Sequence, residues 1–234
     1  MFDVNYDFFL IENNFKEIEE VKSEKIQGDT SSKLPLVSIV IPTYKRVSTL
    51  RETLDSAIRQ TGNHNYEILV VDNNPERGDE TELLMAEYVS VKNLLYFKNT
   101  ANIGMAGNWS RCSELAHGEW VVLIHDDDLL VNNYLDEIEP CLINCVDGLF
   151  VCPKTFIDGE PLPTLNNSER MEIMKITLMY QYLFPILCAS GNALRKSKIL
   201  EYGGYTSKTY APDFFFSKMV YYSCLLYTSP SPRD

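Results

Sequence analysis

The chain has 234 residues, 45% hydrophobic and 23% charged, which is enough for one sizeable folded core and unlike a disordered segment. Its net charge of −12 argues against a nucleic-acid surface or an electrostatic anchor on anionic lipid. No apolar run approaches the roughly 18 residues of a membrane span, and Met1–Asp7 lacks the basic and apolar regions of a secretory signal. The expectation is therefore a cytoplasmic protein with no integral membrane segment.

Residues 1–21 mix aromatics with acids, and 13–25 read as a helix with Glu17, Glu19 and Glu20 on its polar side. Residues 22–33 are polar and without period, which predicts a linker, so 1–33 is taken as an extension ahead of the main domain. Leu36–Ile41 is a β-branched run that predicts a strand stopped by Pro42, with Thr43–Arg46 a loop at its end. Ser48 is a candidate cap for a helix carrying Leu50, Leu54, Ala57 and Ile58. Tyr66–Val71 reads as a second strand closed by Asp72-Asn73-Asn74-Pro75, and 79–91 as a helix. Leu94–Phe97 reads as a third strand, Asn102-Ile103-Gly104 as a turn, and Ala106–Leu115 as a helix with Gly118 past its end.

The fourth strand, Val121-Val122-Leu123-Ile124, runs straight into His125-Asp126-Asp127-Asp128. Three adjacent carboxylates repel one another, and a divalent cation would offset that repulsion, because carboxylate oxygens suit Mg²⁺ or Mn²⁺. The residues alone leave a second reading open, an acidic turn capping the helix that follows from Asn132. Further on come a helix to Cys145, a strand over Leu149–Cys152, a Pro-bearing loop over 153–170 and a helix over 171–184. None of the six cysteines forms a CxxC pair, which predicts reduced thiols.

Strand and helix alternate throughout, which predicts an α/β domain with a mainly parallel sheet and the polar loops along one edge. Neither GxGxxG nor GxxxxGK[ST] follows the first strand, which argues against a dinucleotide fold and a P-loop.

Val37–Arg46, Val70–Asn74, Asn102–Gly104 and His125–Asp128, in that order and spacing, resemble the family-2 glycosyltransferases of the GT-A (Rossmann-like) fold. The resemblance implies inverting transfer of a sugar from a nucleotide-diphosphate donor, UDP leading, to a glycan or lipid-linked acceptor in surface polysaccharide synthesis, assisted by Mg²⁺ or Mn²⁺. It implies a nucleotide pocket of Pro42, Thr43, Tyr44, Arg46, Asp72, Asn74, Asn102 and Gly104, with Asp126 on the ribose. Asp127 and Asp128, the DXD-like motif, would hold the metal, and His125 stands where many relatives carry another residue. Gly191 and Asn192 resemble the acceptor-side strand, Gly203-Gly204-Tyr205 the family's turn after it, and Asp213 the catalytic base, with Pro212 in place of the usual Glu. Leu226–Asp234 resembles translated adapter sequence, so 34–224 is expected to be a C-terminally incomplete domain and 225–234 a non-native tail. The alternative is a nucleotide-sugar or glycan-binding module without catalysis.

Overall fold

The computed structural model describes residues 11–29, 33–144, 150–151 and 190–208. The expected loop over 153–170, the helix over 171–184, Asp213 and the tail lie outside them. In chain order the elements are β1 (Ser23–Gln27), β2 (Val37–Thr43), α1 (Val47–Ile58), β3 (Tyr66–Asp72), α2 (Glu80–Ala86), β4 (Leu94–Asn99), α3 (Gly104–Leu115), β5 (Trp120–Leu123), α4 (Tyr134–Asn144), β6 (Phe150–Val151), β7 (Asn192–Arg195) and α5 (Lys196–Glu201).

Among the described residues one seven-stranded sheet runs β1-β4-β3-β2-β5-β7-β6. The four strands β4, β3, β2 and β5 are parallel, and β1 and β7 are added antiparallel. Alternation sorts the core into two layers. Ile39, Ile41, Ile68, Val70, Tyr96 and Val122 face α1 and α4 with Leu50, Leu54, Leu135 and Ile138. Val40, Leu69, Val71, Leu95 and Val121 face α3 and α5 with Trp109, Cys112 and Ile199. Both faces of the central strands are covered, so those strands carry near-continuous apolar runs.

The chain winds outward from β2 to β3 to β4, then returns through α3 to place β5 on the other side of β2. The crevice at such a reversal, beyond the strand ends, is where open α/β sheets take ligands. The loops after β2 and β5 flank it.

The structure corrects several expectations. β2 runs through Pro42 to Thr43 rather than stopping before it. Val40 O accepts the last bond from the β5 side, from Ile124 N, and Pro42 points its nitrogen to that same side beyond the ladder. The missing N–H there leaves no ladder bond unmade. Arg46, not Ser48, precedes the first turn of α1, and α2 spans Glu80–Ala86 rather than 79–91.

The largest correction lies at the N-terminal side. In place of a helix over 13–25 and a linker, Asn14–Glu17 form one 3-10 turn and Ser23–Gln27 pair with β4 as an edge strand. This segment straps the domain. Asn14 N donates to Gly203 O at 2.9 Å, and Asn14 Nδ2 donates to Gly203 O and Gly204 O at 3.1 and 3.3 Å. The Arg111 guanidinium on α3 donates to Ile18 O and Val21 O, both at 2.7 Å. Gly203 has φ +81°, and a Cβ there would meet Glu12 O at 1.8 Å, so only glycine fits under the strap. No helix among the described residues is long and apolar enough to cross a membrane. Cys112 is a free, buried thiol, and burial pushes its pKa up.

Candidate active site

The β5 strand delivers a tight turn. Asp128 N donates to His125 O at 3.1 Å, so the three aspartates fan out around one reversal of the chain. Asp126 turns inward, 5% exposed, and accepts from Thr43 Oγ1 at 2.8 Å and Arg46 Nη1 at 3.2 Å. Asp127 stays at the surface and accepts from Arg46 Nη2 at 2.6 Å. Asp128 lies 3.4 Å from His125 Nδ1. Burial raises the Asp126 carboxyl pKa against the opposing pull of Thr43 and Arg46. The hydrogen bond from His125 holds Asp128 below the ordinary carboxylate value.

The facing loop is shaped to meet this turn. Lys45 adopts φ +55°, unusual for a residue with a side chain, and this reversal aims Arg46 at Asp126 and Asp127. Polar residues of α1 and of the turn just after it hold the loop that follows β5. Thr53 Oγ1 donates to Asp128 O at 2.8 Å, Ser56 Oγ accepts from Leu130 N at 3.1 Å, and Gln60 bonds Val131 O and Leu135 N. Sequence reading passed over these residues, although their i, i+3, i+7 spacing puts them on one face, beside the buried Leu50, Leu54 and Ala57.

The remaining expected pocket residues are placed as follows. Pro42 and Thr43 are buried under the cleft, and Tyr44 is 44% exposed beside it. Asn102 Oδ1 accepts from Gly104 N at 2.8 Å and Asn73 Nδ2 at 2.9 Å, and Gly104, at φ +74°, has open space around it. Asn73, Asn99 and Asn108 form a buried amide network, and the exposed Asn102 joins it through Asn73, which pins this turn to β3. Asn74 holds its own loop through Asp79 at 2.6 Å. Gly191 N donates to Leu123 O, and Gly191 O accepts from Tyr134, which leads Asn192 into β7 beside β5.

Asp72 is bonded wholly within the protein. It is 0% exposed, and it accepts from Lys98 Nζ at 2.8 Å, Tyr96 Oη at 3.0 Å and Asn74 N at 2.9 Å. Lys98 also donates to Asp79 at 2.8 Å. Burial raises the Asp72 carboxyl pKa, with Lys98 opposing. Burial tends to lower the Lys98 pKa, but the two carboxylates outweigh it and keep the ammonium charged. The carboxylate expected to meet a nucleobase is thus turned to internal donors. Asp72 and Lys98 are register partners on adjacent strands, a pairing that only the fold brings together.

Around the β5 turn, His125, Asp127 and Asp128 offer ligand atoms that all lie within 4.8 Å of one another. Trans ligands of an ion bonded at about 2.1 Å sit about 4.2 Å apart, so a small adjustment would let the three share one cation. The donor set therefore fits a divalent metal.

The model of the family described as Glycosyl transferase family 2 matches residues 38–203. The chain belongs to that family. The match begins within β2 and takes in the cleft loops, β7 and the first glycine of the Gly203-Gly204 pair. An uncharacterized glycosyltransferase of Rickettsia typhi is 34% identical over 158 residues, 65% of this chain and 46% of the relative. The O-antigen biosynthesis protein RfbC of Myxococcus xanthus is 32% identical over 127 residues, 53% of this chain and 10% of that protein. The chain spans 46% or less of the curated relatives it matches. Among solved structures, S. aureus TarS 1-349 in complex with UDP-GlcNAc superposes with a TM-score of 0.64 at 19% identity, covering 79% of this chain and 53% of that one. The Pyrobaculum calidifontis mannosyltransferase PcManGT, in complex with GDP-Man and Mn²⁺, gives 0.54 at 19% identity, covering 81% and 53%. These likenesses bear out the expected GT-A fold and family membership.

Proposed function

We propose that the chain carries the donor half of an inverting, metal-assisted glycosyltransferase that takes a sugar from a nucleotide-diphosphate donor. The observation that carries this is the convergence of Arg46, Asp126, Asp127 and Asp128 at the sheet's reversal point, inside the region that matches the family. UDP is the leading nucleotide, in keeping with the UDP-bound TarS structure. The acceptor is a glycan or lipid-linked glycan in surface polysaccharide synthesis, in keeping with the RfbC relative, presented at the cytoplasmic face of a membrane.

Asp127 and Asp128 would hold Mg²⁺ or Mn²⁺, which supplies Lewis-acid stabilisation of the departing diphosphate. Thr43 and Arg46 fix Asp126, whose carboxylate would accept from a ribose hydroxyl. Arg46, half exposed and already beside two carboxylates, is free to turn its remaining donors to a phosphate. Asn102 and Gly104 give the nucleotide a backbone edge with no side chain in the way. Gly191 and Asn192 lie on the acceptor side, and Asp213 is the candidate base that takes the acceptor's proton.

The test is thermal unfolding with UDP, GDP, CDP or dTDP, each with and without Mn²⁺. Ligand at about 100 times Kd stabilises by about 2.7 kcal/mol. In a chain of this size that is a shift on the order of 5–10 °C. One nucleotide should shift the midpoint, and only with Mn²⁺ present. A shift with none of them would refute the donor site.

A further inference from the structure

Building on the glycosyltransferase reading, we infer that His125 is a nitrogen ligand of the site's divalent cation and that it biases the site toward Mn²⁺ over Mg²⁺. The backbone bond that closes the turn brings residues 125 and 128 to one side, with Nδ1 of His125 3.4 Å from Asp128 Oδ2. The imidazole, Asp127 and Asp128 form the one His/Cys/Asp/Glu group among the described residues whose ligand atoms gather this closely.

The ring is held in place before any ion arrives. The indole of Trp109 stacks on it at 5.0 Å and 25°, and Tyr205 braces Trp109 edge-on at 5.5 Å. The His125 backbone N–H donates to Ser190 Oγ at 3.2 Å. A stacked ring loses little further freedom on binding, so its nitrogen adds affinity at small entropic cost.

The donor chemistry then sets the preference. Mg²⁺ is a hard ion that favours oxygen and gives up its water reluctantly. An imidazole nitrogen suits the later divalent metals, whose affinity for nitrogen-bearing sites rises from Mn²⁺ toward Co²⁺ and Ni²⁺. Replacing an oxygen ligand by this nitrogen therefore weakens Mg²⁺ relative to Mn²⁺. The other two histidines have partners elsewhere. His64 lies between Asp136 and Glu139, and His117 is bonded to Glu67.

The experiment is pulsed EPR on the full chain with Mn²⁺ and UDP, reading nuclear modulation of the electron spin echo. Protein grown with ¹⁵N-histidine is measured beside unlabelled protein, which separates imidazole from uracil nitrogen and needs no variant. A directly bonded ¹⁴N that becomes ¹⁵N on labelling supports the inference. His125→Asp, checked for a wild-type unfolding midpoint, should lose that coupling. It should also reduce the Mn²⁺-over-Mg²⁺ preference, measured by competition, by about tenfold. Bound Mn²⁺ without histidine coupling would overturn the nitrogen ligand and leave the glycosyltransferase reading standing. Failure to retain Mn²⁺ with UDP, GDP, CDP or dTDP would overturn the metal-assisted reading, and this inference with it.

Discussion

Two aspartate–cation pairs stand at the same edge of one sheet and have opposite surroundings. Asp72 and Lys98 are 0% and 2% exposed and bonded at 2.8 Å. Asp127 and Arg46 are 42% and 51% exposed and bonded at 2.6 Å. The distances are nearly the same, so distance does not tell the two roles apart. The buried pair has all its partners inside the protein, with Asp79, Tyr96 and Asn74 completing the set. The exposed pair keeps donors and acceptors facing water, where a ligand can exchange for them. What separates the structural pair from the binding ones here is a cation sealed with its carboxylate, since Lys98 is 2% exposed whereas Arg46 is half exposed in both of its pairs.

The sharpest way to break this contrast is Lys98→Met, which leaves Asp72 charged and buried without its cation. The expected loss is about 3–5 kcal/mol, read from urea midpoints. A loss under 1 kcal/mol would mean that the pair is not sealed. Next in size is Asn73→Ala, which strips partners from Asn99 and the Asn102 turn, at about 1–3 kcal/mol. The same variant should weaken UDP binding in a Mn²⁺ titration.

The third prediction uses pH. Burial raises the Asp126 carboxyl pKa, so the ionised form costs folding free energy. That cost is absent below the unfolded value of about 3.9 and grows as pH rises through the higher folded value. Asp126→Asn should therefore gain stability relative to the parent at pH 7 and lose the advantage near pH 3.5, in paired urea titrations. Smallest in stability is Asp127→Asn. It should change stability by less than about 1 kcal/mol, because Asp127 and its Arg46 partner are both exposed. Asp127→Asn should nonetheless remove Mn²⁺-dependent nucleotide binding. A variant that keeps wild-type Mn²⁺-dependent UDP affinity would take Asp127 out of the metal site.

The same contrast explains what was legible in the sequence. The central strands were readable because both faces are buried and the residues say so, as in Ile39, Val40 and Ile41. The aspartate turn was readable because three like charges at a strand end call for an explanation. Lys98 was not, since its meaning comes from a register partner 26 positions away. The edge strand Ser23–Gln27 was missed for a related reason. Its residues carry no alternating apolar pattern, and it is held by backbone bonds to β4. Asp72 was found as a candidate base contact, but its bonds to Lys98 and Tyr96 were not legible, because position along the chain does not reveal what a neighbouring strand presents to it.

The N-terminal strap has a consequence in time. Asn14 leaves the ribosome 189 residues ahead of Gly203, whose carbonyl it must reach. At about 5–20 residues per second, that is a wait of roughly 10–40 s during synthesis. Until the Gly203-Gly204 turn emerges, Phe15 has only part of its packing surface. The earliest-made part of the domain thus completes its contacts last, and it is the part most open to chaperones and proteases while the chain is being made.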